Sequence, residues 1–185
     1  MHDVPENDRT KKSYEDVSVY PIDGALRERM FDRQTECALC WTTSDGWPVG
    51  VMHRYVWKDG KFWLTTMAHR KRVPALRKRP QSCVIVSGEN ALPGWRDFTI
   101  TAKTLATVHE DNAELKAWFY PELAWRLTRN EDMAKGFVSR LNTPGRVIIE
   151  CAVDKWITYD GAKVAAHVQG AWQPGEPWEN DARLA

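Results

Sequence analysis

The stretch TTMAHRKRVPALRKRP, Thr65–Pro80, carries fixed positive charges at Arg70, Lys71, Arg72, Arg77, Lys78 and Arg79, and no acid. The chain as a whole has a formal net charge of only +1, so this positive charge is local. Such a segment suits an anion, and three kinds compete. A nucleic-acid backbone needs positive charge spread along a face with aromatic residues among it. Here the charge is confined to one corner. A membrane surface needs a basic amphipathic helix with a large apolar face, and the segment is too short for one. A single phosphate needs only a few donors at one point. Arg70 offers a planar fork, Lys71 a mobile charge, and Thr65 and Thr66 hydroxyls. The residues alone leave Arg70 and Lys71 open between a phosphate clamp and a solvated surface. Arg77, Lys78 and Arg79 read as a solvated helix face.

The elements that must position this corner follow from turn residues and periodicity. Residues 21–34 read as a helix, with Asp23 a candidate cap and Leu26 and Met30 on one face. Residues 36–66 read as three strands joined by two Asp-Gly turns, SDGW and KDG, which supply the positive φ of tight hairpins. A short helix over 72–79 follows, with Pro74 in its first turn and Val73 and Leu76 sharing a buried face. SCVIVSG, 82–88, is a nearly continuous apolar run and predicts a strand buried on both sides. Residues 96–110 alternate with the period of a half-buried strand.

Two helices are expected over 111–128 and 130–142, capped by Asp111 and Asn130, the first broken in two at Pro121. Residues 145–161 predict two close strands or one long bent one. The tail from Ala162 shows no period. The chain therefore divides into a polar N-terminal extension (1–20), a barrel domain (21–161) and a C-terminal tail (162–185). The fold class is mainly β with flanking helices, an antiparallel sheet closed into a small barrel.

Other groups able to do chemistry carry less weight. Cys37 and Cys40 form C-x-x-C, but on a strand, where positions three apart face opposite ways. No second pair at zinc spacing exists, so neither a redox dithiol nor a metal site is expected there. His53 reads first as a half-buried strand residue. His69 contacts a phosphate or caps the helix, and His109 and His167 read as solvent-facing. There is no glycine-rich phosphate loop, no Ser-His-Asp signature and no H-E-x-x-H. The chain contains 10 tryptophans, most of which read as core and interface packing, with Trp57, Trp63, Trp95 and Trp156 as candidate walls for a flat ligand. The N-terminal residues lack the apolar stretch of a secretory signal, and the 4 cysteines fit free thiols, so a cytoplasmic protein is expected.

The ordered set within Ala38–Val86 carries more than any one of its parts. A strand meets a DG.P turn, a second strand ends near another DG, and a third ends in Thr-Thr. A His-Arg-Lys step and a helix then precede an apolar strand. This order resembles the flavin-binding split-barrel proteins of the pyridoxamine 5'-phosphate oxidase-like class, and the likeness extends roughly over residues 26–161. The resemblance implies an antiparallel split β-barrel of the FMN-binding type. It implies a homodimer with the cofactor at the interface and an FMN-dependent oxidoreductase acting on a small organic substrate.

By position, the resemblance implies that Arg70 and Lys71 clamp the FMN phosphate with Thr65 and Thr66. It has Met52 and His53 running along the flavin ring, Arg96 and Asp97 reaching the flavin from the next strand, and Trp156 covering the site. It leaves open a deazaflavin coenzyme in place of FMN, a haem, or a protein that binds without turnover. No catalytic acid or base and no metal is implied. Val51 stands where the true oxidases carry an arginine, so oxidation of vitamin B6 itself is not expected.

Overall fold

The computed structural model describes residues 17–89 and 97–178. Its centre is one seven-stranded antiparallel sheet that curls into a half-barrel. A helix α1 (Gly24–Arg33) precedes β1 (Glu36–Thr42), β2 (Pro48–Arg54), β3 (Val56–Lys58) and β4 (Lys61–Met67). Then come α2 (Arg72–Lys78), β5 (Gln81–Ser87) and β6 (Phe98–Glu110). The chain continues with α3 (Ala113–Thr128), α4 (Glu131–Leu141), β7 (Arg146–Asp160) and α5 (Gly161–Val168). The strand order is β2-β1-β5-β6-β7-β4-β3.

The hairpin turns form as their residues dictate. Gly46 and Gly60 adopt φ of 88° and 71°, a region costly for residues with a Cβ. A break at Tyr55 splits the expected second strand, so residues 36–66 make four strands rather than three. Alternation then divides each strand's residues between two faces. Leu39, Leu64, Val84, Val86, Ile100 and Ile149 point inward and are fully or almost fully buried. The strand β5 is buried on this face only. Cys83 and Ile85 on its outer face remain half-exposed, so the expected burial on both sides does not occur.

Helix α2 forms where expected, and Val73 and Leu76 are fully buried beneath it. Helix α3 runs unbroken through Pro121. Proline inside a helix costs roughly 3 kcal/mol, but α3 also buries Phe119, Tyr120, Leu123 and Ala124. Most of these join Val56, Trp63 and Ile148 in a second core on the outer face of the sheet. That burial outweighs the lost backbone bond. The cap of α3 is Asn112, whose side chain accepts from Leu115 N at 2.9 Å, while Asp111 at φ 41° binds Lys116 instead.

Asn130 caps α4 as expected, accepting from Met133 N at 3.0 Å. Asn130→Ala should therefore cost about 1 kcal/mol, read as a lower urea midpoint with an unchanged slope. Residues 146–160 form one long strand, with an irregularity in the β6–β7 register at Lys103/Thr104. The tail begins as a helix, α5, because Asp160 accepts from Ala162 N and Lys163 N at 3.0 and 3.3 Å. Asp23 makes no cap bond at α1 and meets the buried Lys163 at 3.3 Å.

Candidate functional site

The two ends of the curled sheet do not pair. β2 is an end strand, and β4 bonds β7 along its whole length but β3 only over Lys61–Trp63. From Leu64 to Met67 the other edge of β4 has no strand partner, and β2 lies across from it. A seam is left between the two. In it lies a pocket of about 210 Å³ lined by Met52, His53 and Arg54 of β2, Thr65 of β4 and Arg146 of β7. Its far wall is apolar, from Leu123 and Leu127 of α3 and Phe137 and Leu141 of α4.

The basic corner stands at the end of this seam. A turn with Arg70 N bonded to Met67 O at 3.0 Å leads from β4 into α2. Arg70 and Lys71 are exposed, and among the described residues neither is in an ion pair. Arg72 turns inward. One of its Nη1–H groups reaches His53 Nε2 at 2.6 Å, Thr66 Oγ1 lies at 3.4 Å, and the guanidinium sits 5.6 Å over the Trp41 ring. Burial, and next the charge of Arg70, lower the Arg72 pKa. Burial, and next Arg72, push His53 down to about 4. His53 is therefore neutral at pH 7 and accepts at Nε2.

The expected site residues divide accordingly. Met52, His53 and Thr65 meet in the pocket, whereas Arg70 and Lys71 stand outside its lining, in the turn between β4 and α2. Thr65 donates to Val147 O at 2.9 Å, so its proton is already engaged. Thr66 points into the barrel, buried, as the neighbour of Arg72. Asp97 sits at φ 61°, and its carbonyl accepts from Gly161 N at 3.0 Å, which ties β6 to the start of α5. Trp156 does not line the pocket. It packs among Phe31, Trp57 and Phe62, with Arg27 4.5 Å above its ring. Trp57 stands in the same cluster and Trp63 packs on Trp118, so neither walls the pocket. Arg96 and Trp95 lie outside the described residues.

Other expectations change as well. His109 is half-buried, with Nε2 2.8 Å from Glu150 Oε2, and His167 Nδ1 lies 2.6 Å from Tyr20 Oη. Arg77 pairs with Glu110, and Arg79 donates to Thr42 O at 3.0 Å, so only Lys78 of that trio keeps the solvated role. Cys37 faces inward and Cys40 outward, as the strand period requires.

Sequence reasoning passed over Arg72 and Arg146 as site residues. Arg72 differs from its basic neighbours only by opening α2 on the side that faces β2. Arg146 comes to the pocket solely through its register with Met67. Its Nε is buried without a hydrogen-bond partner among the described residues. The described residues contain no cluster of three metal-ligating side chains and no helix long and apolar enough to cross a membrane.

No family model and no curated protein matches the sequence. Solved structures do. A conserved hypothetical protein of Mycobacterium tuberculosis superposes with a TM-score of 0.68 at 16% identity, over 89% of this chain and 97% of that one. A putative pyridoxamine 5'-phosphate oxidase of Listeria innocua matches with a TM-score of 0.54 at 13% identity, over 71% and 94%. An F420 reductase matches with a TM-score of 0.53 at 18% identity, over 70% and 94%. The curled sheet with its open seam is the split barrel of the pyridoxamine 5'-phosphate oxidase-like proteins, and this chain has that fold.

Proposed function

We propose that the chain is a flavin-dependent oxidoreductase acting on a small organic substrate, with FMN held along the seam between β2 and β4. One observation carries the reading. An unpaired strand edge and a pocket with an apolar wall lie next to the turn that carries Arg70, Lys71 and Arg72, with Arg72 joined to His53 of the pocket lining. The residues fit such a group. A flat ring wants an apolar wall and strand edges beside it, and Leu123, Leu127, Phe137 and Leu141 supply the wall. A phosphate wants unengaged cations, and Arg70 and Lys71 are exposed at the corner. Arg146 also lines the pocket and adds a positive charge there.

When bound, the flavin supplies the electron and hydride chemistry. The chain's residues orient and insulate it. Arg72 fixes the ring of His53, and burial, with the Arg72 charge next, keeps that ring uncharged. The α3–α4 pair excludes water from one side. Within one chain the pocket, about 210 Å³, falls below the ~300–1,000 Å³ of typical small-molecule sites. A second copy lying against the open seam, where Met52 is 63% exposed, completes it as a homodimer. A cytoplasmic location is part of the same proposal.

The test is a titration of the purified protein with FMN, followed by visible absorption and by quenching of flavin fluorescence. Arg70→Ala and Lys71→Ala should each weaken binding by about 1.5–3 kcal/mol, the scale of a charge-assisted hydrogen bond. Lys78→Ala should leave it unchanged. Equal losses at Lys71 and Lys78 would replace the phosphate clamp with a diffuse surface. Saturation by a deazaflavin coenzyme or a haem, with no FMN uptake, would reassign the cofactor. Reduction by a nicotinamide nucleotide, and reoxidation by substrate, separate an enzyme from a carrier.

A further inference from the structure

The motif Cys37-x-x-Cys40 draws attention to the wrong partner. Cys37 lies in the barrel interior and Cys40 on the outer face of β1. The residue directly opposite Cys40 on β5 is Cys83. The two thiols stand close enough for each to act on the other's ionisation, and both are half-exposed. The same transverse row continues to Gly50 on β2 and Lys103 on β6. Position 50 has reason to be glycine, since a Cβ there would stand 3.0 Å from Cys40 Sγ. Beside the pair opens a cavity of about 390 Å³, lined among others by Trp41, Lys103 and Asp154. This lies outside the seam and serves no part of the flavin reading.

We propose that Cys40 and Cys83 are a peroxide-responsive thiol pair that closes to a reversible cross-strand disulfide. Opposed residues of an antiparallel pair have Cβ atoms about 4.5–5.5 Å apart, and a disulfide needs roughly 3.5–4.5 Å. A closure of about 1 Å and a side-chain rotation join them without any change of register. The chemistry balances with hydrogen peroxide as oxidant. The Cys40 thiolate attacks the peroxide oxygen, the O–O bond breaks, and the sulfur becomes a sulfenic acid while hydroxide leaves as water. Cys83 sulfur then attacks the sulfenic sulfur, the S–O bond breaks, and a second water leaves with the Cys83 proton. Two thiols are oxidised and one peroxide is reduced.

Burial, and next the nearness of Cys40, push the Cys83 thiol up to about 11, so at neutral pH it waits as the resolving thiol rather than the first attacker. Its proximity supplies the effective concentration that makes the second step fast. Cys37 and Cys151 are buried in the interior and take no part. A dithiol reductant reverses the bond by exchange.

The experiment treats the folded full-length chain with hydrogen peroxide at about pH 8, where thiolate is more abundant. Remaining thiols are then alkylated under denaturing conditions and the peptides mapped by mass without reduction. The expected product is one intramolecular link between the peptides of Cys40 and Cys83, two hydrogens lighter and lost on reduction. It should form faster as pH rises. In Cys40→Ser the link should vanish and Cys83 stay alkylatable. In Cys83→Ser the sulfenic acid on Cys40 should persist long enough for trapping by a dimedone-type reagent. Overturning results are both thiols staying alkylatable, sulfinic acid on Cys40 of the unaltered chain without a link, or a link to Cys37 or to a second copy.

Discussion

Phe31→Ala should remove about 3–5 kcal/mol of stability, the cost of emptying a fully buried aromatic site. Phe31 is fully buried on α1, with ring centroids of Trp57, Phe62 and Trp156 at 4.7, 5.0 and 5.7 Å. Its neighbours are pinned from several elements. Trp57 Nε1 donates to Glu28 at 2.6 Å, and Arg27 lies over Trp156. They cannot collapse into the space without breaking these contacts, so the cavity term is largely retained. Domains are stable by roughly 5–15 kcal/mol in all. The loss should appear as a fall of about 10 °C in the thermal midpoint, with altered tryptophan emission from the cluster. A loss under about 1 kcal/mol would mean that the hub relaxes freely.

Acidification should weaken the fold through His53. Its folded value is about 4 against an ordinary 6.5, so between these limits the unfolded chain binds the extra proton. The contribution is therefore complete above pH 6.5 and is lost as pH falls through 4. Over that window it amounts to about 3 kcal/mol. Urea unfolding at several pH values between 7 and 4 should show this slope in the native chain. His53→Gln, which has no proton to gain, should flatten it. Parallel profiles for the two proteins would place the acid sensitivity elsewhere.

Much of the barrel was legible because its signals are local. The Asp-Gly turns, the alternation of β6 and the Val73/Leu76 face each lie within a few residues. The ordered set from Ala38 to Val86 added the family likeness, and with it the seam's Met52, His53 and Thr65. What escaped depends on contacts distant in the chain. Pro121 reads as a break until the apolar face of α3 meets Trp63 and Ile148. The helix at Gly161 is short, and its start is set by the buried Asp160. Arg146 joins the pocket through a strand pairing that spans some eighty positions. Trp156 looked like a late aromatic over a ligand, but the cluster around Phe31 claims it. No local pattern distinguishes a ring that covers a cofactor from one that packs beneath a helix.

The strand β7 pairs with β4 on one side and β6 on the other, joining Thr65 to Ile148 and Val108 to Ile149. Among the described residues it is also the last strand in chain order. At roughly 5–20 residues per second, a ribosome leaves the edges of β4 and β6 waiting for several seconds before their common neighbour emerges. Until then the nascent chain presents two raw strand margins and half a core to its surroundings. Newly made protein should therefore depend on chaperones for its yield, and a truncation just before Arg146 should aggregate rather than fold in part.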